Sequence, residues 1–159
     1  MIKKRSIIYW LPSALWMVLI FFLSSQPAAN SNYLSEGVTK LIIEFLGRIL
    51  PIDIEISTAH AYVSQLNHVV RKLAHFFAYM ILGILVSSGF KMSGSKKVFL
   101  FPFAICVIYA FSDELHQLFV PGRGCQLKDI IIDSAGSLSG IFLAKEYFRL
   151  SEKYNRRRL

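Results

Sequence analysis

The sequence predicts an all-α membrane fold, a bundle of four transmembrane helices with an outer amphipathic helical segment. Three observations carry this prediction. Of the 159 residues 54% are hydrophobic and only 18% charged, a balance that suits a bilayer better than water. The apolar residues gather over about 7–26, 67–90, 98–119 and 129–148, each run near the roughly 20 helical residues that cross ~30 Å of hydrocarbon. The basic residues cluster just outside those runs: Lys3, Lys4 and Arg5 before the first, Lys91, Lys96 and Lys97 between the second and third, and Lys145, Arg149, Lys153, Arg156, Arg157 and Arg158 after the last. With four spans all three clusters fall on one side, which the positive-inside rule makes the cytoplasm. Both termini are then cytoplasmic and the segment 27–66 is outside. The net charge of +8 is thus a record of topology and forms no stripe of the kind that binds nucleic acid. Residues 1–159 read as one domain, and no feature of the sequence sets an oligomeric state.

Each element has its own reason. Ile7 to Leu23 is uncharged, preceded by KKR and followed by SSQPAANS, a pattern shared with cleaved secretory signals. The run exceeds the usual hydrophobic region of about 7 to 15 residues, which favours a retained first transmembrane helix over a cleaved signal. Pro27 lacks the donor that a helix interior needs and is expected to end this helix, leaving Ser24, Ser25 and Gln26 at its outer end. Between Glu36 and Leu50, Val38, Leu41, Ile42, Phe45, Leu46, Ile49 and Leu50 share one helical face, while Glu36, Lys40, Glu44 and Arg48 recur every fourth residue opposite them. This pattern predicts an amphipathic helix lying on the outer membrane surface. Pro51 to Ile56 reads as a break, and Ser57 as the N-cap of a helix leading into the second span.

In the second span Arg71, Lys72, His75, His68 and Tyr79 fall within an arc of about 100° when successive residues turn by about 100°. Arg71 and Lys72 alone could be interface anchors whose stems lie along the lipid, but a whole polar stripe on an otherwise apolar helix is hard to turn toward lipid. In the third, Asp113, Glu114, His116 and Gln117 share the outer end. Pro121 and Gly122 make a tight turn that sets Arg123 above the last two helices. In the fourth, Asp129, Asp133, Gly136 and Gly140 lie on one face, and the two glycines form a small-xxx-small pair that lets another backbone approach. Cys106 is placed mid-span and Cys125 in an outer loop, which argues against a disulfide needing Cα atoms within about 7 Å.

The acids carry the chemistry. The apolar runs Val98 to Ser112 and Ile130 to Ala144 are too short to cross by themselves, so the spans must include Asp113, Glu114 and Gln117 in one and Asp129 and Asp133 in the other. An acid at mid-membrane costs on the order of 2.5 to 3.5 kcal/mol, and such residues normally face a protein interior with a partner. Arg71, Lys72, Arg123 and Lys128 balance Asp113, Glu114, Asp129 and Asp133 in number, so the cluster can be glue that locks the bundle. It can also be a site, because two histidines, a tyrosine and a glutamine gather at the same depth. Arg71, Lys72 and Arg123 would clamp an anion, and His75, Asp113 and Glu114 are the candidates to carry protons. His75, Asp113, Glu114, His116, Asp129 and Asp133 are also metal-ligand types, but no H-E-x-x-H or similar spacing appears, so neither metal nor other cofactor is predicted. No nucleophile motif such as G-x-S-x-G is present.

The stretches RKLAHFFAYMILG at 71–83, DELHQLFVPGR at 113–123 and DIIIDSAG at 129–136, with FFLSSQP at the end of the first helix, resemble the motifs of the VanZ-like family. The resemblance covers all four predicted spans. Position by position it marks Ser24, Ser25 and Gln26; Arg71, Lys72, His75 and Tyr79; Asp113, Glu114 and Gln117; Pro121, Gly122 and Arg123; and Asp129, Asp133 and Gly136. The chain departs from none of these, and GCQLK between Arg123 and Asp129 is where variation is expected. The resemblance implies a small multi-pass protein of the bacterial cytoplasmic membrane. The member that gives the family its name lowers susceptibility to the glycopeptide teicoplanin. The expectation is therefore an envelope protein whose polar outer-leaflet pocket binds a membrane lipid, a lipid-linked wall precursor or the glycopeptide. A membrane enzyme acting on a wall or phospholipid precursor and a small ion or proton transporter stand as alternatives.

Overall fold

In the computed structural model, which describes residues 5–49 and 56–158, the chain is helical with no strand among the described residues. Among the described residues six helices follow in order: α1 Arg5–Ile8, α2 Leu11–Ser24, α3 Ala28–Ile49, α4 Ile56–Met92, α5 Leu100–Gln117 and α6 Leu127–Arg156. The expected all-α class is met. Among the described residues one helical stretch, Gln65–Met92, is long and apolar enough on its own to cross a membrane. α2 and α3 reach that apolarity only together, across a bend of 103°. α5 and α6, which carry Asp113 and Glu114 and Asp129 and Asp133, do not reach it.

Several boundaries differ from those expected. The first run is two helices, because a turn at Tyr9 and Trp10 interrupts it and Pro12 sits in the first turn of α2, where a missing N–H does no harm. α2 keeps 14 residues, a length of about 21 Å at 1.5 Å per residue. It ends at Ser24, ahead of Pro27, whose carbonyl accepts the Ser31 N–H at 3.1 Å and so opens α3 instead of simply closing α2. Ile56 already belongs to α4, so Ser57 is inside the helix and is not its N-cap; the rest of the expected break, 51–55, lies outside the described residues. α4 then runs 37 residues without interruption.

The α4–α6 contact sets the spacing of everything else. A Cβ at Gly136 would collide with the Phe76 carbonyl oxygen, one at Gly140 with that of Met80, and one at Gly83 with that of Ser137. The two backbones therefore touch over two turns. The sequence marks Gly136 and Gly140; Gly83 is their counterpart on α4. α2 is fastened by side chains: Trp16 Nε1 donates to the Ala78 carbonyl at 2.8 Å, and Tyr109 Oη donates to that of Met17 at 2.6 Å. Between the helices Ile20, Tyr79, Leu82, Val86, Cys106 and Ala110 form the apolar core. Cys106 and Cys125 are both free thiols.

The outside of the bundle is apolar. Of the most apolar window of Gln65–Met92 only 33% is buried in the protein, whereas a helix at the heart of a soluble fold is mostly covered. Val18, Phe22, Val69, Ile108, Phe111 and Ile131 all point outward. On α3 the face holding Val38, Leu41, Ile42 and Phe45 is likewise uncovered. At the far end of the bundle Lys91 pairs with Glu152, and Arg149 with Glu146 at 2.6 Å.

Candidate functional site

One end of the bundle gathers polar groups from every long helix. α5 brings Asp113, Glu114 and Gln117, all buried, because the 3.6-residue repeat turns positions 113, 114 and 117 inward together. Gln117 Nε2 donates to Ser24 Oγ at 2.8 Å, and Ser24 Oγ donates to Asp113 Oδ2 at 3.0 Å. Tyr79 Oη, on α4, donates to the same oxygen at 3.4 Å. Oδ1 of Asp113 has no hydrogen-bond partner among the described residues. Two turns along α6 from the Gln126 cap, Asp133 is also buried, and neither of its carboxylate oxygens has a hydrogen-bond partner among the described residues. Its nearest base is His75 Nδ1, 3.8 Å from Oδ1, too far for a hydrogen bond. An acid entering the fourth span is expected to pair with a base of the second helix or of the tight turn, and the base that approaches Asp133 is His75 of α4, with no lysine or arginine at ion-pair distance among the described residues. Lys72 reaches Asp129 instead, Nζ to Oδ1 at 2.6 Å, because Asp129 lies one turn nearer the mouth.

Glu114 accepts the backbone N–H of Gln126 at 2.8 Å, which ties α5 to the start of α6. Arg71 donates to Asn32 Oδ1 at 3.2 Å and lies 3.4 Å from His68 Nδ1. Arg123 follows Gly122, whose φ of +75° favours glycine and whose α-carbon faces the Ala28 methyl. The Pro121 carbonyl accepts the Ala28 N–H at 3.2 Å, so the turn is pinned to the start of α3. The Arg123 Nε is buried without a hydrogen-bond partner among the described residues. Burial and the neighbouring Arg71 draw the Arg123 pKa below the usual arginine value, while Asp113 and Glu114 oppose them. Neither Arg71 nor Arg123 is in an ion pair among the described residues.

Two hollows meet here. A polar one of about 80 Å³ is lined by Arg71, Lys72, His75, Glu114, Gln117 and Arg123. An apolar groove of about 240 Å³ runs from it between α2, α3 and α4, past Ile20, Leu23, Val38, Val70 and Ala78. Arg71, His75 and Arg123 border both.

The VanZ/LLP1 family model matches residues 9–149, from the turn before α2 to near the end of α6. The chain belongs to the VanZ/LLP1 family. No curated protein and no solved structure matches it. Within this family chain most of the motif residues converge on the polar end, with Ser25 and Gln26 at its edge, where Gln26 also lines the apolar groove. Ser25 Oγ donates to the Phe21 carbonyl at 2.6 Å and lies 3.2 Å from His116 Nε2, and Gln26 Nε2 donates to the Phe22 carbonyl at 3.3 Å. Both work at the end of α2. Asn32 and the Gln126 amide are partners of Arg71 and Glu114 that sequence reasoning missed. Asn32 lies in a stretch without periodic signal, and a backbone amide has no sequence signature.

Proposed function

We propose that this VanZ-family protein spans the bacterial cytoplasmic membrane four times and holds the anionic headgroup of an envelope lipid or lipid-linked wall precursor, and through that ligand alters susceptibility to glycopeptides such as teicoplanin. One observation carries the reading: the polar hollow and the apolar groove share Arg71, His75 and Arg123 as a common rim. A charged headgroup beside an acyl chain has that division. The two guanidiniums present planar forks suited to phosphate or carboxylate oxygens, and neither faces a carboxylate within ion-pair distance among the described residues. The apolar groove would take part of a chain at ordinary hydrophobic contact distances.

Four spans are supported by the uncovered apolar exterior and by the placement of Lys and Arg. α4 crosses alone; α5 and α6 cross with their acids turned onto one another; α2 enters the bilayer and α3 turns away by about 103° along the surface with Val38, Leu41, Ile42 and Phe45 toward lipid. The distribution of basic residues supports cytoplasmic ends of the chain and a polar cluster in the outer leaflet. The test is mass spectrometry of lipids that copurify with the wild-type protein and with an Arg71→Ala, Arg123→Ala double variant. An anionic lipid or lipid-linked wall precursor enriched over the bulk membrane with the wild type alone supports the reading. Identical lipid profiles overturn it.

A further inference from the structure

We propose that His75, Asp113 and Asp133 form a binding site for a single divalent cation of the zinc or manganese class beneath the polar hollow. One candidate ligand atom from each of the three residues lies within 4.8 Å of the others. Three different helices, α4, α5 and α6, supply them, and no local motif links positions 75, 113 and 133. Asp113 and Asp133 are each 1% exposed, and three of their four oxygens have no hydrogen-bond partner among the described residues. Buried carboxylate oxygens left without donors are costly, and glue between helices would supply donors for them. A divalent ion supplies a partner to one oxygen of each carboxylate and balances the charge of the two.

The surroundings have the form of a ligand shell. Tyr79 and Ser24 both donate to Oδ2 of Asp113, with Gln117 behind Ser24, and this fixes the carboxylate with Oδ1 left available. Metal-ligating groups are commonly oriented in this way by a second set of hydrogen bonds. His75 Nδ1 and Asp133 Oδ1 are 3.8 Å apart. Ligands about 2.1 Å from one ion are separated by roughly 3 to 3.4 Å, so the pair closes by well under an ångström on binding. One imidazole with two carboxylates favours zinc, manganese or iron over calcium and magnesium, which prefer oxygen alone. The His75 side chain is 27% exposed and also lines the polar hollow, so the ion has an entry path. Three protein ligands leave coordination positions open on that side, beside Arg71 and Arg123. This goes beyond the headgroup reading: it shares His75 with that rim but depends on none of the anion clamps.

The experiment uses the full chain in detergent, carrying no polyhistidine tag. Protein stripped with a chelator is titrated with Zn²⁺, Mn²⁺, Co²⁺ and Mg²⁺, bound metal is counted by mass spectrometry, and the melting temperature is recorded. We expect about one Zn²⁺ or Mn²⁺ per chain with a raised melting temperature, no comparable response to Mg²⁺, and a visible Co²⁺ spectrum of a mixed nitrogen and oxygen site. Asp133→Asn and His75→Gln should abolish stoichiometric binding. Tyr79→Phe, which removes one donor to Asp113, should weaken it by about tenfold. Glu152→Gln, an exposed acid at the far end, should leave it intact. Arg71→Ala, Arg123→Ala should keep the metal even where it loses lipid, so the two readings can fail separately. Because the wild-type titration needs no variant, a poorly folding substitution does not obscure the answer. Wild-type protein that binds no stoichiometric ion and melts at the same temperature with every metal overturns the proposal. So does Asp133→Asn that binds as the wild type does. An apo protein stabilised by Asp133→Asn, with no metal response in the wild type, assigns the pair a shared proton instead.

Discussion

Lys72 Nζ lies 2.6 Å from Asp129 Oδ1, so at the polar end the lysine of α4 is engaged by the outer of the two aspartates of α6. The side chains are 23% and 28% exposed, and solvent therefore weakens the pair without removing it. Lys72→Ala should lower stability by roughly 1 kcal/mol, and the difference from wild type should shrink in concentrated salt. Thermal unfolding in detergent at low and high ionic strength reads both effects. A loss that is the same at every salt concentration would place the pair in a drier environment than its exposure indicates.

The glycine contacts give a sharper expectation. Gly140→Ala drives a methyl into the Met80 carbonyl and Gly136→Ala into that of Phe76, where neither backbone can yield without separating α4 from α6. Overpacking of this kind costs on the order of 3 kcal/mol or more. Gly37 on α3 has open space around it, and Gly37→Ala should stabilise its helix by about 0.5–1 kcal/mol through propensity alone. Chemical unfolding of the three variants side by side tests the contrast, and equal stabilities would refute the close approach.

The orientation can be read with the native thiols. Cys106 is buried, while Cys125 is partly exposed in the turn region between α5 and α6. In intact cells a membrane-impermeant maleimide should label Cys125, and in a Cys125→Ser background it should not label Ser93→Cys between α4 and α5 until the membrane is opened. The reverse pattern would invert the topology and move the polar cluster to the inner leaflet.

Arg123 separates recognition from charge. Lysine keeps the positive charge but lacks the planar fork and the Nε that is buried in this turn. Under the proposed function, Arg123→Lys should abolish teicoplanin protection in a susceptible host at unchanged protein level and unchanged melting temperature. Full protection by the lysine variant would mean that only the field of the cation matters.

Much of this arrangement was legible in the sequence because a helical period is local. The polar stripe of Arg71, Lys72, His75 and Tyr79, the inward set Asp113, Glu114 and Gln117, and the Gly136 and Gly140 face all follow from about 100° per residue. The pairing between helices did not follow. Whether Lys72 meets Asp129 or Asp133 depends on the axial shift of α4 against α6, which no single helix encodes. The convergence of His75, Asp113 and Asp133 was illegible for the same reason, since ligand spacing in sequence is informative only when ligands share an element. The turn at Tyr9 and Trp10 was hidden inside an uninterrupted apolar run, where hydropathy is blind to backbone geometry.

The backbone contacts at Gly136 and Gly140 make the polar end a caliper with one rigid jaw and one compliant jaw. Phe76, which meets Gly136, follows His75 directly, and Gly136 lies one turn beyond Asp133. The gap between His75 and Asp133 is therefore gauged by main-chain atoms. Ser24 reaches Asp113 from α2, which is held by the side-chain bonds of Trp16 and Tyr109. A change in bilayer thickness or lateral pressure that displaces α2 would alter the Ser24 bond first and the His75 to Asp133 gap last. Amide hydrogen exchange should accordingly be slowest along 76–83 and 136–140 and faster in α2, with lipid composition moving the α2 rates alone.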